Sequence, residues 1–191
     1  LSDFDDVLAA LIAQVSLENQ HFIDECKKAD SNKSERPPIP KTAQDKLINI
    51  WDSVFPQRKI EYEDAAFYAI PTNSSKRYSA TQMSDGERSV LYLAAQVLCA
   101  PQAKILIMDE PEVHLHPSLM GRLWGSLERA RPDCLFIYIT HDVNFASTHQ
   151  SSDTIWVKSF DGTKWDLESL PDSDLPKELL IDLLGNRKEV L

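Results

Sequence analysis

Hydrophobic residues recur at steps of three and four over the first 29 positions of the chain. This spacing places apolar side chains on one face of a helix, so it predicts an amphipathic helix over residues 3–29, about 40 Å long. Ser2 is the predicted N-cap. Residues 27–42 lose the periodicity and are polar and proline-rich, which predicts a mobile loop. The apolar stripe consists of Phe4, Val7, Leu8, Leu11, Ile12, Val15, Phe22, Ile23 and Cys26.

The next thirty residues combine a helical and a strand-like pattern. Thr42 is a suitable cap for a short helix that the apolar spacing predicts as far as Val54. Apolar and polar residues then alternate in the segment RKIEYEDAAFYAI, residues 58–70. Because successive side chains of a strand point to opposite faces, this alternation predicts two strands or a hairpin.

From residue 83 onward, segments with helical spacing alternate with short apolar runs. The sequence predicts a helix over residues 86–99, a strand over 104–108, a helix that begins at Pro117, and a second strand over 134–140. Both strands are almost wholly apolar, which is typical of a parallel sheet buried on both faces. The predicted fold class is therefore α/β.

The end of the chain predicts a hairpin and a helix. DTIWVKSF and TKWDLESL are strand-like segments, and the Asp161–Gly162 pair between them favours a tight turn. The segment DLPKELLIDLLG predicts a short helix that stops at Gly185.

Charge and composition argue against two classes of partner. The 191 residues carry 20 Lys and Arg against 30 Asp and Glu, and a net charge of −10 repels nucleic acid. We therefore expect no direct nucleic-acid contact by this piece. We also expect no membrane contact, because no apolar run is long enough to cross a bilayer. Three widely spaced cysteines without a C-x-x-C motif are typical of a reducing compartment, so we expect a cytoplasmic protein.

Two carboxylates follow the first apolar strand. In ILIMDEPEVHLHP, residues 105–117, Asp109 and Glu110 come directly after the apolar run. Ligands of open α/β sheets collect at this end of the strands. One carboxylate there can hold Mg²⁺, and its neighbour can orient or deprotonate an attacking water. The alternative is an ordinary strand end with a solvated acidic pair.

His141 holds the corresponding place after the second apolar strand, in the sequence ITHD. Parallel strands end at the same edge of a sheet, so His141 and Glu110 are expected on one edge. A histidine there can donate to a phosphate oxygen or help to position water. A strand-end histidine satisfied by backbone groups is the alternative.

The segment MSDGERS, residues 83–89, opens the helix predicted at 86–99. Ser84 followed by Gly86 allows the N–H groups of a helix N-terminus to approach an anion closely, and the helix dipole favours this. The same residues have the spacing of a capping box, with Ser84 as the cap and Glu87 at the third helical position. The two interpretations are compatible.

Taken in order, MSDGERS, ILIMDEPE and ITHD resemble the signature, Walker B and switch-histidine motifs of ABC-class ATPases. The resemblance covers residues 83–145. DEPEVHLHP is more similar to the branch of SMC, RecF and overcoming-lysogenization-defect (OLD) ATPases than to transporter cassettes. The resemblance implies ATP and Mg²⁺ as ligands, with ATP held between the two protomers of a homodimer and the dimer released on hydrolysis.

The resemblance also implies roles for the matching residues. Asp109 would help to hold Mg²⁺, Glu110 would be the catalytic base on water, and His141 would sense or stabilise the γ-phosphate. The signature would contact ATP held by the other protomer, chiefly through its serine and glycine. Its residues are Ser84, Asp85, Gly86 and Glu87.

Two positions depart from the family pattern. The transporter signature Leu-Ser-Gly-Gly-Gln reads Met-Ser-Asp-Gly-Glu here, so Asp85 adds a charge near the phosphate site. In the implied D-loop, which includes His114 and crosses the dimer interface, His116 stands in place of an aspartate. A metal site of His114, His116 and His141 is an alternative, although no fourth ligand is placed to complete it.

A phosphate-binding loop of the form G-x-x-x-x-G-K-[ST] does not occur in the 191 residues, because none of the five glycines precedes a lysine. We therefore predict a C-terminal lobe that is inactive alone and whose P-loop lobe lies upstream in the native protein. The first methionine, Met83, agrees with an excised piece. Residues 1–82 are predicted as a helical insertion and residues 83–191 as the α/β lobe.

Three further expectations concern the whole protein. The OLD-like resemblance implies a nuclease-type domain downstream. A non-catalytic dimerisation or regulatory module is an alternative to the ATPase, and the missing P-loop favours it for this polypeptide. The ATP-binding subunit of a transporter is a second alternative, but the HLHP sequence and the long first helix argue against it.

Overall fold

The structure is a computed structural model that describes residues 3–74, 76–113, 115–142, 145–146 and 153–170. The chain divides into two compact units, Leu1–Ile139 and Thr140–Leu191, which we describe separately. Three predicted features lie outside the described residues: the cap at Ser2, the D-loop residue His114 and the helix that stops at Gly185. In the described ranges, no helix has both the length and the apolar character needed to span a membrane.

Four helices make up most of the first unit and confirm the four that the apolar spacing predicts there. They are α1 (Phe4–Ser31), α2 (Ala43–Val54), α3 (Asp85–Cys99) and α4 (Pro117–Ala130). Helix α1 packs on α3, and α2 packs on both α3 and α4. Fully buried side chains from all four helices form the core; the largest are Trp51, Trp124, Leu11, Leu47, Ile50, Leu91, Leu123 and Leu127.

The first helix runs further than its apolar stripe. It continues to Ser31, whose hydroxyl donates to the carbonyl of Lys27 at 2.8 Å. Arg36 then folds back and binds both carboxylate oxygens of Asp30, at 2.8 and 2.9 Å. The loop predicted over residues 27–42 is therefore wrong in its first turn, because local side-chain bonds extend the helix through a polar segment.

Carboxylates hold the start of α2. Thr42 and Asp45 form a reciprocal capping box, in which the Asp45 carboxylate accepts from the Thr42 N–H at 2.9 Å. The Glu18 carboxylate, on α1, accepts from the Ala43 N–H at 2.7 Å. These bonds satisfy N–H groups that have no acceptor inside the helix. The predicted cap at Thr42 is confirmed, and a second helix adds to it.

A small antiparallel sheet follows α2. Its strands are β1 (Arg58–Glu63), β2 (Ala66–Pro71) and β3 (Tyr78–Ser79), in that order. The β1–β2 pair confirms the predicted hairpin, which turns at Asp64 and Ala65. Both turn residues have positive φ, 50° and 56°, as the favoured two-residue hairpin turn requires.

The strands β4 (Ile105–Asp109) and β5 (Leu135–Ile139) pair in parallel, as predicted. Helix α4 covers one face, where Trp124 packs edge-on against Tyr138 with ring centroids 5.3 Å apart. The opposite face is 39–62% exposed at each of its five aliphatic side chains. The prediction of a sheet buried on both faces is therefore wrong for this chain. The exposed face consists of Ile105, Ile107, Leu135, Ile137 and Ile139.

Arg131 joins the end of α3 to the segments that lead into the parallel strands. Its side chain is 4% exposed. The guanidinium donates to the carbonyls of Val97, Ala100 and Pro101 at 2.6, 2.7 and 2.8 Å. It also binds both oxygens of Asp133 at 2.9 Å. One side chain thus supplies donors to carbonyls that the helix leaves without a partner.

The second unit contains a hairpin of β6 (Thr154–Phe160) and β7 (Trp165–Leu170), which confirms the predicted terminal pair. The Asp161 carboxylate accepts from the N–H groups of Thr163 and Lys164, at 2.8 and 2.7 Å. Gly162 follows with φ of 94°, a value that favours glycine. The predicted turn at Asp161–Gly162 is therefore confirmed.

Candidate functional site

Glu110 has an unusual backbone for a glutamate. It follows β4 directly, its φ is 50°, and its N–H donates to the carbonyl of Ile139 on β5 at 2.8 Å. Asp109, the last residue of β4, pairs in register with Ile139, and both carboxylate residues are exposed. The β5 backbone thus fixes the point at which the two acidic residues leave the sheet.

Other non-glycine residues with positive φ have local explanations. Asp64 and Ala65 form the hairpin turn, and Lys33 follows the end of α1. Ala103 lies in the turn before β4, where its N–H donates to the Asp133 carboxylate at 3.1 Å. Glu110 lies in none of these positions, and it carries a chemically active side chain. A left-handed backbone costs such a residue about 1–3 kcal/mol, and this kind of strain clusters at functional sites.

A short turn leads from Glu110 into α4. The N–H of Val113 donates to the carbonyl of Glu110 at 3.0 Å, and that of Leu115 donates to Glu112 at 3.2 Å. His116 is the N-cap of α4: its Nδ1 accepts from the Ser118 N–H at 3.3 Å. The structure therefore gives His116 a capping role that the sequence comparison with the D-loop did not include.

His141 belongs to the second unit and is exposed. It follows β5 by two residues, and the neighbouring N–H of Asp142 donates to the Thr140 hydroxyl at 2.9 Å. Its predicted role toward a phosphate stays a prediction.

The signature turn opens α3. Ser84 is the N-cap and Glu87 completes a capping box, as its spacing predicts. The N–H groups of Asp85 and Gly86 fall in the first turn, where an α-helix supplies no acceptor. Ser84 and Asp85 are exposed, and a Cβ on Gly86 would meet no atom within 4 Å. The turn thus presents backbone donors and a positive helix end to an open surface, which suits an anion.

Glu87 does not share that surface. It is 3% exposed, and its carboxylate accepts from the N–H and hydroxyl of Ser84 at 2.9 and 2.6 Å. The Tyr78 hydroxyl donates to it at 2.5 Å, and Arg58 Nη1 lies 3.0 Å away. Of the four signature residues predicted to contact nucleotide, the structure places three at the surface and the side chain of Glu87 inside.

The electrostatics of this cluster favour an ionised Glu87. Burial acts to raise the pKa of Glu87, but hydrogen bonds from Ser84 and Tyr78, with the charge of Arg58, outweigh it and hold the pKa below its ordinary value. Burial and then the bond to Glu87 raise the pKa of Tyr78 to about 12. Sequence reasoning missed Arg58 and Tyr78, since nothing in their local sequence points to α3.

Comparison with protein families places this geometry in context. The sequence profile of the family described as "AAA domain, putative AbiEii toxin, Type IV TA system" matches residues 7–147 of the chain. The chain belongs to this AAA family. Membership supports an ATPase-related function and agrees with the motifs at 83–145. No curated protein matches the chain.

Solved structures of SMC ATPase heads share the fold. A structure from work on ATP-driven dimerization and DNA-stimulated activation of SMC ATPases is 18% identical with a TM-score of 0.55, over 78% of this chain and 92% of that one. An SmcHead bound to the C-winged helix domain of ScpA is 19% identical with a TM-score of 0.52, over 68% and 42%. An Smc head domain with a coiled coil and joint from Pyrococcus yayanosii is 19% identical with a TM-score of 0.53, over 76% and 29%.

These likenesses confirm the predicted fold class. Together with the family match over residues 7–147, they confirm the resemblance to ABC-class, SMC-like ATPases. The chain spans less than half the length of the latter two structures.

Proposed function

We propose that this chain is the C-terminal lobe of an ABC-type ATPase of the SMC-like branch. Joined to a P-loop lobe, it binds and hydrolyses Mg-ATP at the interface of a homodimer. The observation that carries the proposal is the left-handed Glu110 backbone, tied to β5 at 2.8 Å beside the exposed Asp109. A strained carboxylate at the carboxyl end of a parallel strand is placed where α/β proteins hold their ligands.

The two carboxylates suit a divalent cation and a water. Oxygen ligands from carboxylates are those that Mg²⁺ prefers, and Asp109 would supply one of them. The bound ion would neutralise charge on the phosphates. Glu110 would accept a proton from the attacking water, and His141 would donate to a phosphate oxygen.

The signature turn would serve the nucleotide of the second protomer. Its exposed N-terminal N–H groups and the Ser84 hydroxyl are donors that a phosphate can accept. Asp85 carries a negative charge on the same exposed turn, so the phosphate would be bound through backbone N–H groups and not through that side chain.

The exposed face of the parallel sheet is an argument for a further lobe that covers it. All-parallel sheets occur almost only with both faces covered, and here α4 covers just one. The other face presents the five aliphatic residues at 105, 107, 135, 137 and 139 beside the strand ends that carry Asp109 and Glu110. A layer from the P-loop lobe on this face would bring its phosphate-binding loop to the same edge.

The test is Mg-ATP turnover by the longest natural polypeptide that contains these residues. Wild type is compared with Glu110→Gln, which keeps the size of the side chain and removes the base. We expect turnover in wild type, a loss of at least 100-fold in the variant, and an ATP-bound dimer that persists in the variant. Equal turnover by both proteins would overturn the role of Glu110.

A non-catalytic interaction module is the second candidate. The absence of a P-loop from the 191 residues favours it. A natural polypeptide that forms a defined dimer, neither hydrolyses ATP nor responds to it, and keeps that dimer in Glu110→Gln would establish this alternative.

A further inference from the structure

The Ser84 hydroxyl, which the proposed function directs at a phosphate, already has an acceptor inside the chain. Its Oγ lies 2.6 Å from Oε2 of Glu87 and accepts from the Glu87 N–H at 3.4 Å. An ionised carboxylate only accepts, so the one hydroxyl hydrogen of Ser84 points to Glu87. A phosphate oxygen that approaches Ser84 therefore meets a lone pair. Ser84 can donate to phosphate only after its hydroxyl turns away from Glu87.

Glu87 keeps other partners during that exchange. Its other oxygen, Oε1, accepts from the Tyr78 hydroxyl at 2.5 Å and forms an ion pair with Arg58 Nη1 at 3.0 Å. The Ser84 N–H still donates to Oε2 at 2.9 Å. A carboxylate that is 3% exposed is costly without partners, and these three partners remain when the hydroxyl turns away.

The two side chains on Oε1 are held by the small sheet. Arg58 is the first residue of β1, and its carbonyl accepts from the buried Trp51 indole N–H at 3.1 Å. Tyr78 is the first residue of β3 and pairs with Ala69 of β2. The antiparallel sheet thereby fixes both partners of Oε1 relative to the start of α3.

We propose that Arg58 and Tyr78 are positioning residues that set how firmly Glu87 holds the Ser84 hydroxyl, and through it the affinity of the signature turn for phosphate. The hydrogen bond from Tyr78 and the positive charge of Arg58 at Oε1 make the carboxylate a weaker acceptor at Oε2. Loss of either partner therefore leaves Glu87 with a tighter hold on Ser84 and weakens phosphate binding. This inference rests on the proposed function, in which Ser84 acts on the nucleotide of the second protomer.

The experiment measures ATP-dependent dimerisation of the natural polypeptide in the Glu110→Gln background, by sedimentation velocity across protein concentrations. Arg58→Met and Tyr78→Phe are each expected to weaken the ATP-bound dimer by about tenfold, the effect of one or two hydrogen bonds. Arg58→Lys keeps the charge and should recover most of the affinity. If Arg58→Met does not fold, Tyr78→Phe and Arg58→Lys are the variants that test the proposal.

Matched controls come from the same sheet. Arg77 is exposed, pairs with Glu63 and stacks on Tyr68 with its guanidinium 4.4 Å from the ring centre. Arg77→Met should leave the dimer unchanged within about twofold, because surface ion pairs contribute little. The Tyr62 hydroxyl lies 3.5 Å from the Ser16 hydroxyl and does not donate to Glu87, so Tyr62→Phe controls for loss of a phenol.

A second background separates positioning from general destabilisation. Glu87→Gln removes the charge that holds Ser84, so Arg58→Met should have less than a twofold effect there. An undiminished effect in that background, or tenfold weakening by Arg77→Met, would overturn the inference. ATP-dependent dimers of normal affinity with Arg58→Met and Tyr78→Phe would do the same and leave the proposed function standing. A parent protein without turnover or an ATP-dependent dimer would overturn the proposed function and this inference together.

Discussion

Replacement of Arg131 by methionine should destabilise the first unit more than any exposed substitution. Arg131 is 4% exposed and donates to the carbonyls of Val97, Ala100 and Pro101 at 2.6–2.8 Å, in addition to its bidentate pair with Asp133. Methionine fills a similar volume but leaves these acceptors without a donor. Breaking a buried charged network from one side costs about 3–5 kcal/mol, a large share of the stability of a domain.

Urea unfolding of the 191-residue chain, followed by tryptophan fluorescence, measures this loss. Arg131→Lys keeps the charge but cannot reach acceptors on both sides, so we expect about half the effect. Arg122→Met is the control, because Arg122 is exposed on α4, the helix that ends just before Arg131, and its loss should cost less than about 0.5 kcal/mol. A loss below about 1 kcal/mol for Arg131→Met, or an equal loss for Arg122→Met, would refute the reasoning.

Two further predictions concern acid stability and backbone strain. The hydrogen bond from Arg131 is the main cause that holds the pKa of Asp133 below its ordinary value of 3.8. The stabilisation that the Asp133 carboxylate contributes is therefore complete above pH 3.8 and is lost as pH falls through the folded-state pKa. The stability difference between wild type and Asp133→Asn should therefore shrink between about pH 5 and pH 2 in urea titrations, and a constant difference would contradict this. At the left-handed Glu110, glycine should be more stable than alanine by about 1 kcal/mol, and the reverse order in urea midpoints would show that the backbone is not strained.

Elements set by local chemistry were predictable. The apolar stripe of α1, the cap at Thr42, the start of α4 at Pro117 and the turn at Asp161–Gly162 each depend on residues close in sequence. The end of α1 was not predictable, because the hydrogen bonds from Ser31 and Arg36 that extend the helix involve polar residues with no periodicity.

Features that depend on distant partners were not predictable. The spacing of Ser84 and Glu87 predicts a capping box, but it does not indicate that Arg58 of β1 and Tyr78 of β3 contact Glu87. The conformation of Glu110 depends on a carbonyl of the next strand, and glutamate is not a residue that marks a left-handed position.

The parallel strands show a different limit. An apolar run predicts burial of both faces of a strand, but it does not say whether the second face is covered by this chain or by another part of the protein. The sequence located the strand ends that carry Asp109 and Glu110 correctly. It did not reveal that one face of the pair, with Ile107 at its centre, is exposed in this chain.

That exposed face has a practical consequence for work with the 191-residue chain. An exposed aliphatic surface on paired strands is prone to stack on another copy, so we expect the purified chain to self-associate as its concentration rises, with or without nucleotide. Self-association of the chain is therefore uninformative about the proposed ATP-dependent dimer. Ile107→Lys should suppress the stacking and keep the chain monomeric, because it places a charge at the centre of the face.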